Sequence, residues 1–413
     1  MKHTVRSIIA ICLLAVFFMS LLTSCKPENQ ELTLYVYNWG EYISDGSDDS
    51  VDTNAEFEKY CREVLGKNVK VNYSTFASNE SMYAKVSSGS AAYDVIIPSD
   101  YMIERMISED LLQPLNMDLI PNYEFIDDDF KGENVYYECG SDVQYSVPYF
   151  YGMIGVIYNT SIVDENDEQL GSWDLMWDEQ YKGDILQFNN SRDAFGTAQY
   201  KLKLDVNDED EAQWRLALEE LLLQKQIVQG YVMDEIFNKM QSGSAAIAAY
   251  YAGDYLSMYE NNSDLAFFYP QEGTNSYIDA MCIPKNAQNI ELAHHYINFM
   301  CSHDIAMANA LYTYYASPGT TVVEDPEYHE AMAEVHEDAI SILYEQAHEV
   351  PSQAYLNLSA DALSMMNVLW EELKAKSSIG RGIYIGCGAI LGVLALVVIY
   401  QLLKKRRWAK LYD

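Results

Sequence analysis

A chain of 413 residues is long enough for two ordinary globular lobes, each around its own core. Its 62 acidic and 26 basic side chains leave a formal charge of −36, which excludes nucleic acid and disfavours an anionic membrane surface as partner of the folded part. With 49% hydrophobic and 13% aromatic residues the chain is not disordered, and 34 tyrosines on an acidic chain suit an organic cation.

The two ends stand apart from the globular body. Residues 1–24 read as a secretory signal, with Lys2 and Arg6 ahead of an apolar run from Ile8 to Leu22. The run closes on Leu22-Thr23-Ser24-Cys25, which looks like a bacterial lipobox, so Cys25 is the expected lipidated first residue of the mature chain. Residues 25–31 are then a tether. At the far end, Ile383–Leu403 is an apolar stretch interrupted only by Tyr384, Tyr400 and Gln401. As a helix it is long enough to cross a bilayer core of about 30 Å. Lys404, Lys405, Arg406, Arg407 and Lys410 follow, so the tail 404–413 is expected in the cytoplasm and the body outside. Two G-x-x-x-G spacings, Gly382 to Gly386 and Gly388 to Gly392, mark a face on which such helices can pair. Without these flanks the body keeps 18 basic and 61 acidic residues. Its field enriches cations, screened beyond about 8 Å at physiological salt.

Between the ends, strand and helix patterns alternate. Leu32–Tyr37 reads as a strand, Asn54–Leu65 as a helix, Val69–Thr75 as a strand, Asn79–Ser87 as a helix and Tyr93–Pro98 as a buried strand. That order predicts an α/β lobe over 32–148 with a largely parallel sheet. Ligands of such sheets bind beyond the carboxyl ends of the strands, where Trp39, Tyr42, Ser99 and Tyr101 fall. Residues 146–160 read as a strand crossing into a second lobe, 149–276. That lobe carries strands Gly183–Phe188 and Ala245–Tyr251 and helices Ala194–Lys203 and Glu211–Gln224. Tyr277–Pro284 reads as the return crossing. Helices over Ile290–Cys301, Ile305–Tyr315, Pro326–Gln346 and Ala360–Lys376 complete a C-terminal part, 277–378, that packs on both lobes. Two lobes joined by more than one crossing form a clamshell whose natural motion is hinge closure.

Chemical motifs of other kinds are sparse. His294-His295 and the pair His329 and His336 lack metal-ligand spacing and read as residues of solvated helix faces. Asp45-Gly46-Ser47-Asp48-Asp49 is acidic enough for weak calcium contact but lacks the EF-hand pattern. Neither a G-x-S-x-G nor a Walker-type run is present, so no catalytic residue, cofactor or metal site is assigned. Cys61, Cys139, Cys282 and Cys301 belong to the exported body, and their spacing does not choose among three possible pairings.

Several ordered blocks carry a resemblance. They are Leu34-Tyr35-Val36-Tyr37-Asn38-Trp39-Gly40-Glu41-Tyr42, Tyr73-Ser74-Thr75, Asn79-Glu80-Ser81-Met82-Tyr83-Ala84-Lys85 and Tyr93-Asp94-Val95-Ile96-Ile97-Pro98-Ser99. They continue through Tyr181-Lys182-Gly183, Ser191-Arg192-Asp193-Ala194, Tyr277-Ile278-Asp279-Ala280 and Ile283-Pro284. With these blocks, most of 32–376 resembles the bacterial spermidine/putrescine-binding proteins, the solute-binding components of polyamine ABC transporters. The resemblance implies a two-lobed periplasmic-binding-protein clamshell, type II-like, holding a polyamine between its lobes and delivering it to permease subunits. It also implies a ligand set. Trp39 and Tyr42 form walls in the first lobe, with Ser99 and Tyr101 beside them. Asp193 takes a terminal ammonium, Asp279 faces the inner nitrogen, and Tyr251, Tyr277 and Tyr315 complete the aromatic walls. Three departures concern affinity and chain-length preference. Asn190 stands where the family has a carboxylate, Asp193 replaces a longer glutamate, and Tyr251 and Tyr277 replace tryptophans, which are stronger cation–π partners. Asn357 is the candidate for a late polar cap.

A polyamine is a methylene chain punctuated by ammonium groups. Methylenes favour ring faces, and ammonium groups favour carboxylates and the negative faces of rings. Two other readings remain: a membrane-tethered sensor of the same ligand, against which the ten-residue tail argues, and an extracellular glycosidase using paired carboxylates.

Overall fold

The computed structural model describes residues 31–138 and 143–375. The leader, Cys25, Cys139, the apolar run 383–403 and the basic tail lie outside the described residues. Among the described residues, no helix is long and apolar enough to cross a membrane.

The ten strands of the described residues are β1 (Leu32–Trp39), β2 (Val69–Phe76), β3 (Val95–Ile96), β4 (Ser146–Asn159), β5 (Ile185–Phe188), β6 (Val228–Val232), β7 (Ile247–Tyr251), β8 (Leu265–Phe268), β9 (Thr274–Cys282) and β10 (Ser352–Ala354). They join in the order β2-β1-β3-β9-β4-β7-β5-β6, with β10 on β9 and β8 on β4. β1 runs parallel to β2 and β3, and β5 runs parallel to β6 and β7. These two parallel groups are the sheets of two α/β lobes.

The lobes share a long strand. β4 is antiparallel to β9 from Ser146 to Met153, then pairs with β7 from Ile154 and with β8 from Val156. Its register shifts between Pro148 and Phe150, and a separate bridge ties Tyr151 to Ala316. Nearly the whole strand is buried, which explains its long apolar run. The last helix, Ala360–Ala375, packs on the second lobe, with Met366, Leu369 and Leu373 in one cluster with Trp214, Leu218 and Leu221.

Helix starts follow local capping chemistry. Asp52 accepts from Ala55 N, Ser78 and Ser81 form a reciprocal capping box, and Asn190 accepts from Asp193 N. Each satisfies backbone N–H groups that a helix cannot pair internally.

Some expectations need correction. The helix expected over Pro326–Gln346 stops at Val335, and a single π-helical turn follows at Ser341–Glu345. His336 leaves the helix with an extended backbone and packs its ring 4.5 Å from that of Tyr259. His294 is not on a solvated face. It is buried, accepts Asn116 N at Nε2 and lies 2.7 Å from Ile290 O, so it braces a loop. Cys61, Cys282 and Cys301 are buried free thiols.

Candidate functional site

The carboxyl ends of four strands converge on one cavity. β1 ends at Trp39, β3 leads to Ser99, β5 leads to Asn190 and β7 ends at Tyr251. β9 crosses between the lobes and contributes Tyr277 and Asp279. All ten residues expected from the sequence line this cavity: Trp39, Tyr42, Ser99, Tyr101, Asn190, Asp193, Tyr251, Tyr277, Asp279 and Tyr315. Asn357 does not. It lies behind the cavity wall, where its backbone N–H donates to Glu104 Oε2.

The space is narrow. About 60 Å³ is open to the centre of a water-sized sphere, a few times what one water requires. Rings set its cross-section. Tyr42 meets Tyr315 edge-on with centroids 4.6 Å apart, and Tyr251 meets Tyr277 at 5.3 Å. Tyr277 Oη is buried without a hydrogen-bond partner, leaving its lone pairs available to a donor. Glycine at 253 is needed for closeness, because a Cβ there would lie 2.6 Å from the Tyr315 ring.

Carboxylates are distributed along the cavity, and neutral side-chain donors hold Asp279, Asp193, Asp254 and Glu80. Asp279 accepts Ser99 Oγ at 2.6 Å on Oδ1 and Tyr42 Oη at 2.7 Å on Oδ2. Asp193 accepts Asn190 Nδ2 at 2.6 Å and Tyr251 Oη at 2.7 Å, both on Oδ2. Asp254 accepts Tyr315 Oη at 2.8 Å. Glu80 accepts Tyr101 Oη at 2.9 Å. Asp193 and Asp254 both fall in the first turn of a helix that starts at a strand end. A helix N-terminus favours negative charge, so the fold stabilises the carboxylate where backbone N–H groups alone would attract an anion.

These observations can be set beside known proteins. Residues 55–335 match the profile of the bacterial extracellular solute-binding proteins. The chain belongs to that family. A provisionally named spermidine/putrescine ABC transporter protein of Listeria monocytogenes is 33% identical, with a TM-score of 0.73 over 84% of this chain and 99% of its own. The substrate-binding protein PotD of a Streptococcus pneumoniae spermidine/putrescine ABC transporter is 30% identical, with a TM-score of 0.64 over 83% and 98%. Among curated sequences, spermidine/putrescine-binding periplasmic protein 1 of Haemophilus influenzae is 29% identical over 375 residues, 87% of this chain and 97% of that one.

In this solute-binding protein, burial dominates the electrostatics. Loss of water pushes Asp193 and Asp279 up to about 6, against the hydrogen bonds that favour their charged forms. Asp100, also on the wall, is raised to about 7 by burial. Asp254 is raised well above the usual carboxylate range, first by burial and then by Asp234 and Glu41. Among the described residues, no three His, Cys, Asp or Glu side chains converge as a metal site.

Sequence reasoning passed over Glu80, Asp254 and Tyr355, which also line the cavity. Asp254 had a usable signal, since it follows Tyr251 by the same three residues that separate Asp193 from Asn190. Glu80 sits in the first turn of the helix after β2, again beyond a strand end. Tyr355 had none. It belongs to an irregular stretch whose partners, Tyr101 at 6.1 Å and Arg192 at 4.4 Å, are distant in sequence.

Proposed function

We propose that this chain is the extracytoplasmic solute-binding component of a polyamine ABC transporter, capturing spermidine or putrescine between its lobes and delivering it to permease subunits. One observation carries the reading. Among the described residues, the cavity is lined by six acidic side chains, Glu80, Asp100, Asp193, Asp234, Asp254 and Asp279, by nine aromatic rings, and by no lysine or arginine. Buried acids ionise only with a partner, so this many acidic side chains without a basic one suit a polyvalent cation whose methylenes rest on rings.

In this reading Asp279 and Asp193 bind ammonium groups, assisted by Ser99, Tyr101 and Asn190. Trp39, Tyr42, Tyr251, Tyr277 and Tyr315 hold the chain. The two lobes close by bending at β4 and β9. The names of the relatives point to the same ligand class. The lipobox at Cys25 and the apolar run 383–403 support attachment of the body to the outer face of the cell membrane.

Melting of the folded body with added putrescine, spermidine, an oligosaccharide and a neutral amino acid tests this. A ligand that binds only the native state raises the melting temperature by mass action. The polyamines alone are expected to do so. A shift with the oligosaccharide alone would point to a glycosidase-like site instead.

A further inference from the structure

Asp193 and Glu80 face the cavity from opposite lobes. Asp193 starts a helix after β5, and Glu80 starts the helix after β2. Asp193 receives both of its side-chain hydrogen bonds on Oδ2, from Asn190 and Tyr251, and none on Oδ1. Glu80 receives Tyr101 Oη on Oε1 and, among the described residues, no hydrogen bond on Oε2. Among the described residues no lysine or arginine forms an ion pair with either carboxylate. The nearby guanidinium of Arg192 is committed elsewhere. It donates to Val206 O, Asn207 Oδ1 and Leu356 O and lies over the Tyr355 ring.

We propose that Glu80 is a specificity-determining counter-ion that shares the terminal primary ammonium of a polyamine with Asp193, an inference that rests on the polyamine reading above. A primary ammonium carries three N–H donors, enough to bridge Asp193 Oδ1 and Glu80 Oε2 and keep one for a third acceptor. An acetylated end offers one neutral N–H and leaves the buried Asp193 and the half-buried Glu80 without a cation. The site therefore selects a free primary amine at this end. The pair also explains how the chain tolerates Asn190 where its relatives are expected to carry a carboxylate, because Glu80 supplies the second negative charge from the facing lobe. The bridge spans the cleft, so occupancy of this station draws the lobes together. The Glu80 charge is already felt at Asp193, where it adds to the upward shift caused by burial.

Calorimetric titration of the folded body with spermidine and putrescine tests this. In Glu80→Gln the amide oxygen still accepts from Tyr101, so the local structure is preserved while the charge is lost. The expected loss of affinity is about tenfold or more, as for removal of one partner of a desolvated charge pair. Glu63→Gln, an exposed carboxylate on another helix, removes the same charge and should leave affinity unchanged. Adding Asn190→Asp to Glu80→Gln should restore most of the loss, and Glu80→Asp should lie between wild type and Glu80→Gln. Wild-type binding with Glu80→Gln within twofold of it would overturn the role of Glu80 and leave the polyamine reading standing. Equal losses in Glu63→Gln and Glu80→Gln would overturn it in favour of the bulk field. No binding of any polyamine to the wild type would instead overturn the reading on which it rests.

Discussion

Tyr42 donates its phenolic hydrogen to Asp279 Oδ2 over 2.7 Å, joining the loop after β1 to a strand 237 residues later. With Ser99 on the other oxygen, Asp279 is fixed in rotamer by two neutral donors and keeps its charge for the cavity. Asp279→Ala removes that charge from a desolvated station. Polyamine affinity should fall by at least about 2 kcal/mol, or roughly thirtyfold. Asp48→Asn, on an exposed loop, should change it little. Equal losses in the two variants, read by calorimetry, would place the ligand outside the cavity.

Proton linkage follows from the same burial. Asp193 and Asp279 are raised to about 6, above the ordinary carboxylate value of 3.8. Between about pH 4 and 6 the native protein in this conformation therefore holds more protons than the unfolded chain. Stability contributed by these groups is full below the unfolded value and is lost as pH rises through 6. An ammonium ligand favours the ionised carboxylates, so binding near pH 6 should release protons, and affinity should rise from pH 5 to pH 7.5. Titrations in two buffers of different ionisation enthalpy measure the release. Proton uptake on binding would contradict the assignment.

Closure has its own signature. Gly40, after β1, approaches Asp234 of the second lobe so closely that a Cβ would lie 2.5 Å from Asp234 Oδ2. If the lobes part in the ligand-free protein, as the proposed closure requires, Gly40→Ala should leave its melting temperature near wild type while weakening polyamine binding about tenfold, because the clash then acts on the bound state. Asp234→Ala in the same chain should recover much of the loss. A melting temperature that falls with no change in affinity would show that this contact holds the fold rather than the closed cleft.

The proposed attachment to the membrane rests on two signals that can be tested separately. If the apolar run 383–403 anchors the protein as proposed, the protein should stay in the membrane fraction after Cys25→Ala. Removing residues after Ser378 in that variant should release it to the soluble fraction. Release by Cys25→Ala alone would show that the C-terminal run is not an anchor.

Much of the site was legible because its residues sit where strand patterns end. Trp39, Ser99, Asn190 and Tyr251 each close or follow a strand whose apolar run is visible in the sequence, and the α/β rule places ligands there. The resemblance then supplied Asp279, a carboxylate in a strand, where propensity alone gives no reason for it. What was not legible depends on long-range packing. β8 and β10 are short strands whose pairing to β4 and β9 is set by tertiary contact, and Tyr355 reaches the cavity only through the irregular chain after β10. The break at His336 carries no glycine or proline. It is fixed by the rings of Tyr255 and Tyr259, which no local pattern announces.

The central claim is that this cavity binds a polyamine, and calorimetric titration of residues 28–378 with putrescine, spermidine and spermine measures it directly. Saturable one-to-one binding of at least one of them, abolished or strongly weakened in Asp279→Ala, is the expected result. A folded sample giving neither binding heat nor a melting shift with any of the three would contradict the account.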